Sequence, residues 1–427
     1  MPESNPSPPL RSARKIGLLT SLYFSQGLPY GFFSDALPAL LRLRGMSLPE
    51  IGLTNLLSLP WALKFLWAPL VDRFGFRRLG RRRSWILPLQ AIAVLTLVAL
   101  SGLDLTTQLG LVLATMLVLN LLAATQDIAT DGLAVAILDD RERGWGNGVQ
   151  VAAYRVGMIF GGGVLLKLIG GFGWRGTFLI MAGLLALATL PILLYPEGRK
   201  SAGQGRWSRE VEANLPPLHW RDFTAFLLRP GILPWLCLLV LFKGGDAIAT
   251  GIGKPFLVDL GLTRDAIGSL SAYGTLPAGL VGALIGGWGV GRFGRRRALI
   301  GFGIFQGLAV AAYMLPALGL YTTGTLYATA IVDYAAGGMA TAVLFTMMMD
   351  VCRPGTEGSD YTLQASITMT APILARSLSG FVAEHLGYTA TFLLSSTLSL
   401  GGVALAAVLL ANAAFRRRLL AADGTEW

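Results

Sequence analysis

Asp127 and Asp131 stand four residues apart in an otherwise apolar stretch. On a helix that spacing turns both carboxylates to one face. Asn120 continues the stripe one heptad earlier, and Gln126 sits next to Asp127. Arg155 lies in the following apolar run, as far beyond Arg141 as Asp127 lies before it. Two antiparallel helices joined near Arg141 hold these residues at one depth, which predicts a buried Asp127–Arg155 pair with Asp131 close by. Asp333 and Arg376 repeat this geometry about the middle of the segment 351–360, and Lys243 and Asp246 form an i, i+3 pair. A carboxylate beside a guanidinium stays ionised, whereas one stranded in apolar surroundings favours its protonated form. Such groups can bind a polar solute, carry a proton, or serve only as static ion pairs that fix helix packing.

Tyr23, Tyr30 and Phe33 surround Gly27 and Pro29, and Tyr154 precedes Arg155. Gly27 and Pro29 predict a bend in their helix, and the rings either line a cavity or pack against neighbours. Lys64, near a basic loop, is expected to snorkel toward water. Other chemistry finds no support. Cys237 and Cys352 are far apart, and His219 and His385 have neither metal-ligand spacing nor a nucleophile partner. Gly161–Gly163 and Gly282-x-x-x-Gly286 suit close helix packing, and neither is followed by a phosphate-loop Lys-Ser/Thr. Neither enzyme activity nor a metal or cofactor is expected.

The elements that position these residues follow from composition. Of 427 residues, 53 % are hydrophobic and 14 % charged, and the mean hydropathy is +0.59. A soluble domain has too little interior to hide that much apolar surface. Apolar runs of sufficient length to cross ~30 Å recur along the chain, without the ten-residue alternation of barrel strands. The predicted fold is therefore all-α and polytopic. Twelve transmembrane helices are expected near 16–41, 48–71, 85–103, 108–138, 144–169, 175–195, 232–257, 264–290, 297–317, 322–350, 360–383 and 388–413. The polar segment Met1–Arg14 carries no cleavage signature, so the first span is expected to act as an uncleaved signal. The formal charge of +11 does not point to nucleic acid, because the basic residues fall in short loops between apolar runs. Of 35 Lys and Arg, 25 fall on one side and five on the other. That asymmetry predicts both termini in the cytoplasm.

The halves resemble each other. Gly45–Gly52 aligns with Gly261–Gly268, Asp72-Arg73-Phe74-Gly75 with Gly291-Arg292-Phe293-Gly294, and the segment from Gly173 to Leu179 with that from Gly387 to Leu393. The matches keep one order and nearly one separation, as a duplicated six-helix unit would. The expected domains are a six-helix bundle at 1–195, a cytoplasmic linker at 196–231 and a second six-helix bundle at 232–427. Trp220, Phe223, Phe226 and Leu227 in the linker have rough helical spacing and could lie on the membrane surface.

Gly287-x-x-x-Gly291-Arg292-Phe293-Gly294-Arg295-Arg296 follows the pattern G-x-x-x-D-R-x-G-R-R, with Gly291 in place of the Asp. The first-half copy around Asp72, Arg73 and Gly75 keeps the Asp and delays its arginines to Arg81–Arg83. Two copies, each between the second and third span of a half, resemble the major facilitator transporters. That resemblance implies a substrate site between the halves near the midplane. It also implies a cytoplasmic charge cluster of Asp72, Glu142 and Arg143 that holds one transport state; the alternative is that these residues are only positive-inside anchors. Gln26-Gly-Leu-Pro29, Lys64–Arg73, Ala124-Thr-Gln-Asp127 and Tyr154-Arg155-x-Gly157 look more narrowly like the AmpG permease branch. Twelve spans and Gln26–Phe33 resemble its siderophore-permease relatives of the RhtX/FptX type.

The resemblance implies proton-driven import across the bacterial inner membrane, by a monomer whose partners are a small-molecule substrate, protons and the lipid bilayer. A siderophore or its iron complex is the favoured substrate on this reading. A muropeptide of cell-wall recycling, or export of a small amphipathic solute, is the alternative.

Overall fold

An amide inside hydrocarbon has no water to bond, so each apolar run must close its own backbone hydrogen bonds. The computed structural model does this with helices, and no strand occurs among the described residues. The structure describes residues 8–37, 40–41, 57–76, 79–105, 107–139, 141–195, 197, 225–353 and 355–419. Eight helices among them are long and apolar enough to cross a bilayer, so the protein is all-α and polytopic. The repeat member 45–52, Arg42 and Arg44, and His219, Trp220 and Phe223 of the linker lie outside the described residues.

Helix α1 (Pro8–Gly31) contains Pro29 and runs into a π-helical turn at Phe32–Ala36. Proline withholds one backbone donor and crowds the preceding turn, so an irregularity is expected there. The second apolar run is broken into α2 (Leu59–Leu63), a 3-10 turn at Lys64–Leu66 and α3 (Ala68–Arg73), with Pro60 and Pro69 in the first turns of the two helices. Helices α4 (Arg83–Ser101) and α5 (Leu109–Ile137) follow. Helix α6 (Arg143–Ile159) then passes through a π-helical turn at Phe160–Val164 into α7 (Leu165–Leu194).

Beyond the linker come α8 (Ile232–Asp259), α9 (Arg264–Ser269), a π-helical turn at Leu270–Thr275, and α10 (Leu276–Phe293). These are followed by α11 (Arg295–Ala312), α12 (Met314–Ala317), α13 (Thr323–Val351), α14 (Glu357–Ala411) and α15 (Ala413–Leu419).

Helices α7 and α14 each contain one non-helical residue, Gly173 (φ 66°, ψ −179°) and Gly387 (φ 77°, ψ 166°). Positive φ favours glycine because a Cβ would crowd the backbone. Four residues on, Thr177 Oγ1 donates to the Gly173 carbonyl at 2.7 Å, and Thr391 Oγ1 to the Gly387 carbonyl at 2.8 Å. The third pair of matched segments thus shares one backbone device.

The chain divides into two compact units. The first comprises Met1–Leu138, Ala153–Phe223 and Arg353–Thr362; the second comprises Asp139–Ala152, Thr224–Cys352 and Leu363–Trp427. Each unit therefore includes a short segment from the other sequence half. In the first, Leu28, Phe32, Leu97, Leu119, Phe178 and Leu185 share a buried core. Here α1 lies directly against α6 and the π turn. A Cβ at Gly27 would strike the Tyr154 carbonyl, one at Gly157 the Phe24 carbonyl, and one at Gly161 the Leu28 carbonyl. In the second unit α10 and α13 meet in the same way, with Gly282 on the Ala335 carbonyl, Gly286 on Met339 and Gly338 on the Gly279 carbonyl. Small residues let backbones approach, and dispersion replaces the hydrophobic drive that lipid cannot supply. Gly161 and the Gly282/Gly286 pair serve close helix packing, as their spacing predicts.

Gly161→Leu and Gly282→Leu are expected to overpack these contacts, each costing about 1–3 kcal/mol or more. Gly183→Leu, whose Cβ would enter open space, is the control. Thermal unfolding in detergent, read by size-exclusion chromatography, should lower the transition for the first two only.

Candidate functional site

Helix α5 carries the polar stripe. Asn120, Gln126, Asp127 and Asp131 are all buried. Asp127 forms its ion pair with Lys64, which is completely buried. The expected Asp127–Arg155 pair is not formed, and Lys64 does not snorkel. Equal distance from a loop sets depth but not direction around the helix axis. Helix α6 turns Tyr154, Gly157 and Met158 toward α1, and Arg155, about 100° further round, is half-buried on a different face. Lys64 instead projects from the 3-10 turn between the two proline-started helices. Trp61 Nε1 donates to Asn120 Oδ1 at 3.0 Å and Trp67 Nε1 to Thr125 Oγ1 at 3.1 Å, which fixes this broken segment along α5. Asp131 accepts from the Tyr23 hydroxyl at 2.8 Å and lies within hydrogen-bonding reach of Asp127. Gln126 Nε2 reaches Ser25 Oγ at 3.3 Å. The result is one ammonium facing two carboxylates, with a phenol and amides around them.

The aromatic candidates gather beside it. The Tyr30 ring meets Phe33 at 4.8 Å, Trp61 at 5.6 Å and Tyr154 at 5.7 Å between centroids. Edge-on rings at these separations are mutually attractive. Phe33 is buried in the core and Tyr30 and Tyr154 are half-buried.

In the second unit Lys243 and Asp246 pair at 3.7 Å, and Lys243 Nζ also donates to Thr341 Oγ1 at 3.0 Å. Asp333 is buried, with Asp246 and Lys243 as its charged neighbours. The expected Asp333–Arg376 juxtaposition does not occur. Arg376 is exposed, and its backbone packs against Gly251 of α8.

The motif residues assemble outside the spans. Asp72, buried at the end of α3, binds both Arg82 and Arg81 and accepts the Ser359 backbone N–H at 2.6 Å. Arg82 also meets Glu357 at 3.1 Å. Burial alone would raise the Asp72 carboxyl; the Arg82 and Arg81 guanidiniums and the Ser359 hydroxyl outweigh it and hold it below the usual carboxylate range. Glu197 accepts the backbone N–H of Arg82 at 2.9 Å and of Arg83 at 2.7 Å, at the positive end of α4.

In the second unit Asp350 accepts from Arg143 at 2.7 Å and Arg295 at 2.9 Å. Of the cluster expected of Asp72, Glu142 and Arg143, Asp72 belongs to the first unit and the other two to the second, where Glu142 Oε2 accepts the Asp139 N–H at 3.2 Å. Gly291 stands where the motif has Asp, and Asp350 supplies the carboxylate that Gly291 lacks. Arg73 lies over the Phe74 ring at 5.5 Å, and a Cβ on Gly75 would meet the Arg81 backbone at 3.0 Å. Gly291 and Arg292 are exposed, and Gly294 (φ 79°) makes the turn from α10 to α11. Asp350, Glu357 and Ser359 escaped the sequence reading, because no local pattern names their partners. Lys64 carried a signal: a lone lysine three residues after a tryptophan, between two prolines.

Comparison with known proteins gives this geometry its setting. The family model of the Major Facilitator Superfamily matches residues 19–359 and 236–424. The anhydromuropeptide permease of Escherichia coli K12 is 31% identical over 400 residues, covering 92% of this chain and 79% of the relative. An uncharacterised protein of Haemophilus influenzae is 31% identical over 403 residues, covering 91% and 93%. A putative transporter, AmpG 4, of Rickettsia felis is 28% identical, covering 88% and 91%. The crystal structure of the human organic anion transporter MFSD10 shares the fold, with a TM-score of 0.67 at 17% identity, covering 94% of this chain and 100% of that one.

Asp127→Asn strands the Lys64 ammonium in the interior and is expected to cost about 3–5 kcal/mol. The double variant Lys64→Met/Asp127→Leu should recover most of that loss in thermal unfolding. Equal losses in single and double variants would refute the pairing. Asp72 has a folded-state value below its unfolded value of about 3.9. Its stabilisation is therefore complete above that pH and lost as pH falls through the folded value. Asp72→Asn should flatten the stability profile below about pH 4.

Proposed function

Since this chain belongs to the Major Facilitator Superfamily and is a secondary transporter of a small solute, we propose that it imports anhydromuropeptides, driven by protons. The carrying observation is the identity of 31% across 92% of the chain with the anhydromuropeptide permease. The first unit's geometry supports it. Tyr30, Trp61 and Tyr154 form an aromatic wall, and such faces suit the apolar faces of sugar rings. Lys64, Asp127 and Asp131 supply charges of both signs for a peptide that carries carboxylates and an amine. The relatives reported above favour the wall fragment over the siderophore expected from the sequence.

On this reading the chain forms twelve spans in two six-helix bundles, 1–195 and 232–427, joined by the linker 196–231, with both termini in the cytoplasm and the monomer as the working unit. The Asp127–Asp131 pair takes up a proton when Lys64 is drawn away toward the peptide's carboxylates. Its release on the other side resets the carrier, so cargo and proton move together. The fold and family place the chain in a membrane of the inner or plasma type as a carrier and not an enzyme.

Membrane vesicles holding the protein should accumulate labelled anhydromuropeptide when the outside is acidified, and a protonophore should abolish this. Unlabelled anhydromuropeptide should compete, and a ferric siderophore should not. Competition by the siderophore, or net efflux under the same gradient, would overturn the assignment.

A further inference from the structure

The first unit buries one lysine against two aspartates, and the second unit repeats that stoichiometry with different residues. Lys243 and Asp246 pair at 3.7 Å on α8, and Lys243 Nζ continues to Thr341 Oγ1 at 3.0 Å on α13. Asp333 lies two helical turns before Thr341 on α13, so both face the same way with Gly337 between them. The Asp333 side chain sees Asp246 and Lys243, and the phenols of Tyr313 and the adjacent Tyr334 belong to the same group. Ten residues into α13, Asp333 is about 15 Å from the helix start, near the middle of a ~30 Å hydrocarbon layer.

Two details separate this constellation from a static ion pair. Asp333 is only 6% exposed, yet its Oδ1 has no hydrogen-bond partner among the described residues. Gln306 of α11 is 2% exposed and its Nε2 is likewise unpartnered. That amide points at α13: it stands 3.4 Å from where a Cβ on Gly337 would lie, one turn from Asp333. Unmet polar atoms at this depth are costly. Two carboxylates facing one ammonium also leave one negative charge uncompensated, and a single bound cation cancels it.

We propose that the second unit holds its own proton site, with the proton carried on the Asp333 carboxyl. The step is simple in its balance: hydronium gives one proton to a carboxylate oxygen of Asp333 and leaves water. The site then becomes neutral overall, with Lys243 held by Asp246 and Thr341. This second site is distinct from the Asp127–Asp131 pair and gives each unit one exchangeable proton. It stands on its own geometry, while its part in a transport cycle rests on the function proposed above.

Infrared difference spectroscopy of the purified protein in lipid reads the site without any substrate. Raising the pH should remove a carboxylic-acid carbonyl band from the wild type. Asp333→Asn should lose that band, and Asp333→Glu should retain one at shifted frequency. Gln306→Leu should shift the Asp333 band in the folded protein, which keeps the question open to experiment if Asp333→Asn fails to fold. In vesicles supplied with anhydromuropeptide, one pH unit of gradient is worth roughly tenfold in accumulation per coupled proton. Asp333→Asn should therefore lower the accumulation ratio by about that factor per pH unit. An unchanged carbonyl spectrum in Asp333→Asn overturns the proposal, and so does a band that responds to sodium chloride in place of pH, which would mark a sodium site. Failure of the wild type to take up anhydromuropeptide would count against the cargo alone, because the spectra do not depend on it.

Discussion

An ammonium with no water around it must lie against a carboxylate, and Lys64 has none. Its pairing with Asp127 ties the broken second span to α5 and thereby fixes where the rest of the first unit's polar face can stand. Trp61 and Trp67 hold either side of the break on Asn120 and Thr125. Asp131, left over from the pairing, finds the Tyr23 hydroxyl of α1. Helix α1 can approach only because glycines alternate with larger residues along its contact with α6. A chain of local necessities thus runs from one buried charge to the packing of four helical segments.

The same pairing explains how much the sequence could tell. Helical periodicity was sufficient to align Asn120, Asp127 and Asp131, since all three belong to one element and need only its 3.6-residue repeat. Gly161 and the Gly282/Gly286 pair were legible for the same reason. Pairing between helices was not, because it depends on rotation about each axis, and the irregular turn at Lys64 redirects a side chain that regular geometry would have sent elsewhere. Arg155 and Arg376 carry charge of the right sign at suitable depth, yet they face other directions. Loop chemistry was the least accessible. Asp350 draws arginines from segments distant in sequence, and no spacing rule links Asp72 to Ser359 or Arg143 to Asp350.

Charge organisation differs between the spans and the loops. In the loops, guanidiniums outnumber or match the carboxylates they meet: Arg81 and Arg82 on Asp72, Arg143 and Arg295 on Asp350. These sets are compensated and act as fasteners. In the spans, lysines are in the minority against aspartates, and the remainder has to be settled by something that comes and goes. A carrier needs both kinds of site, one to hold a state and one to leave it.

The bends at Gly173 and Gly387 bear on how such a change of state can spread. Each consists of a single residue, and the following threonine clamps its carbonyl within one turn. An elbow so short has almost no slack, so displacement of the helix before it is handed on to the helix after it. The segments on either side of each glycine should behave as a bent lever, transmitting motion rather than absorbing it.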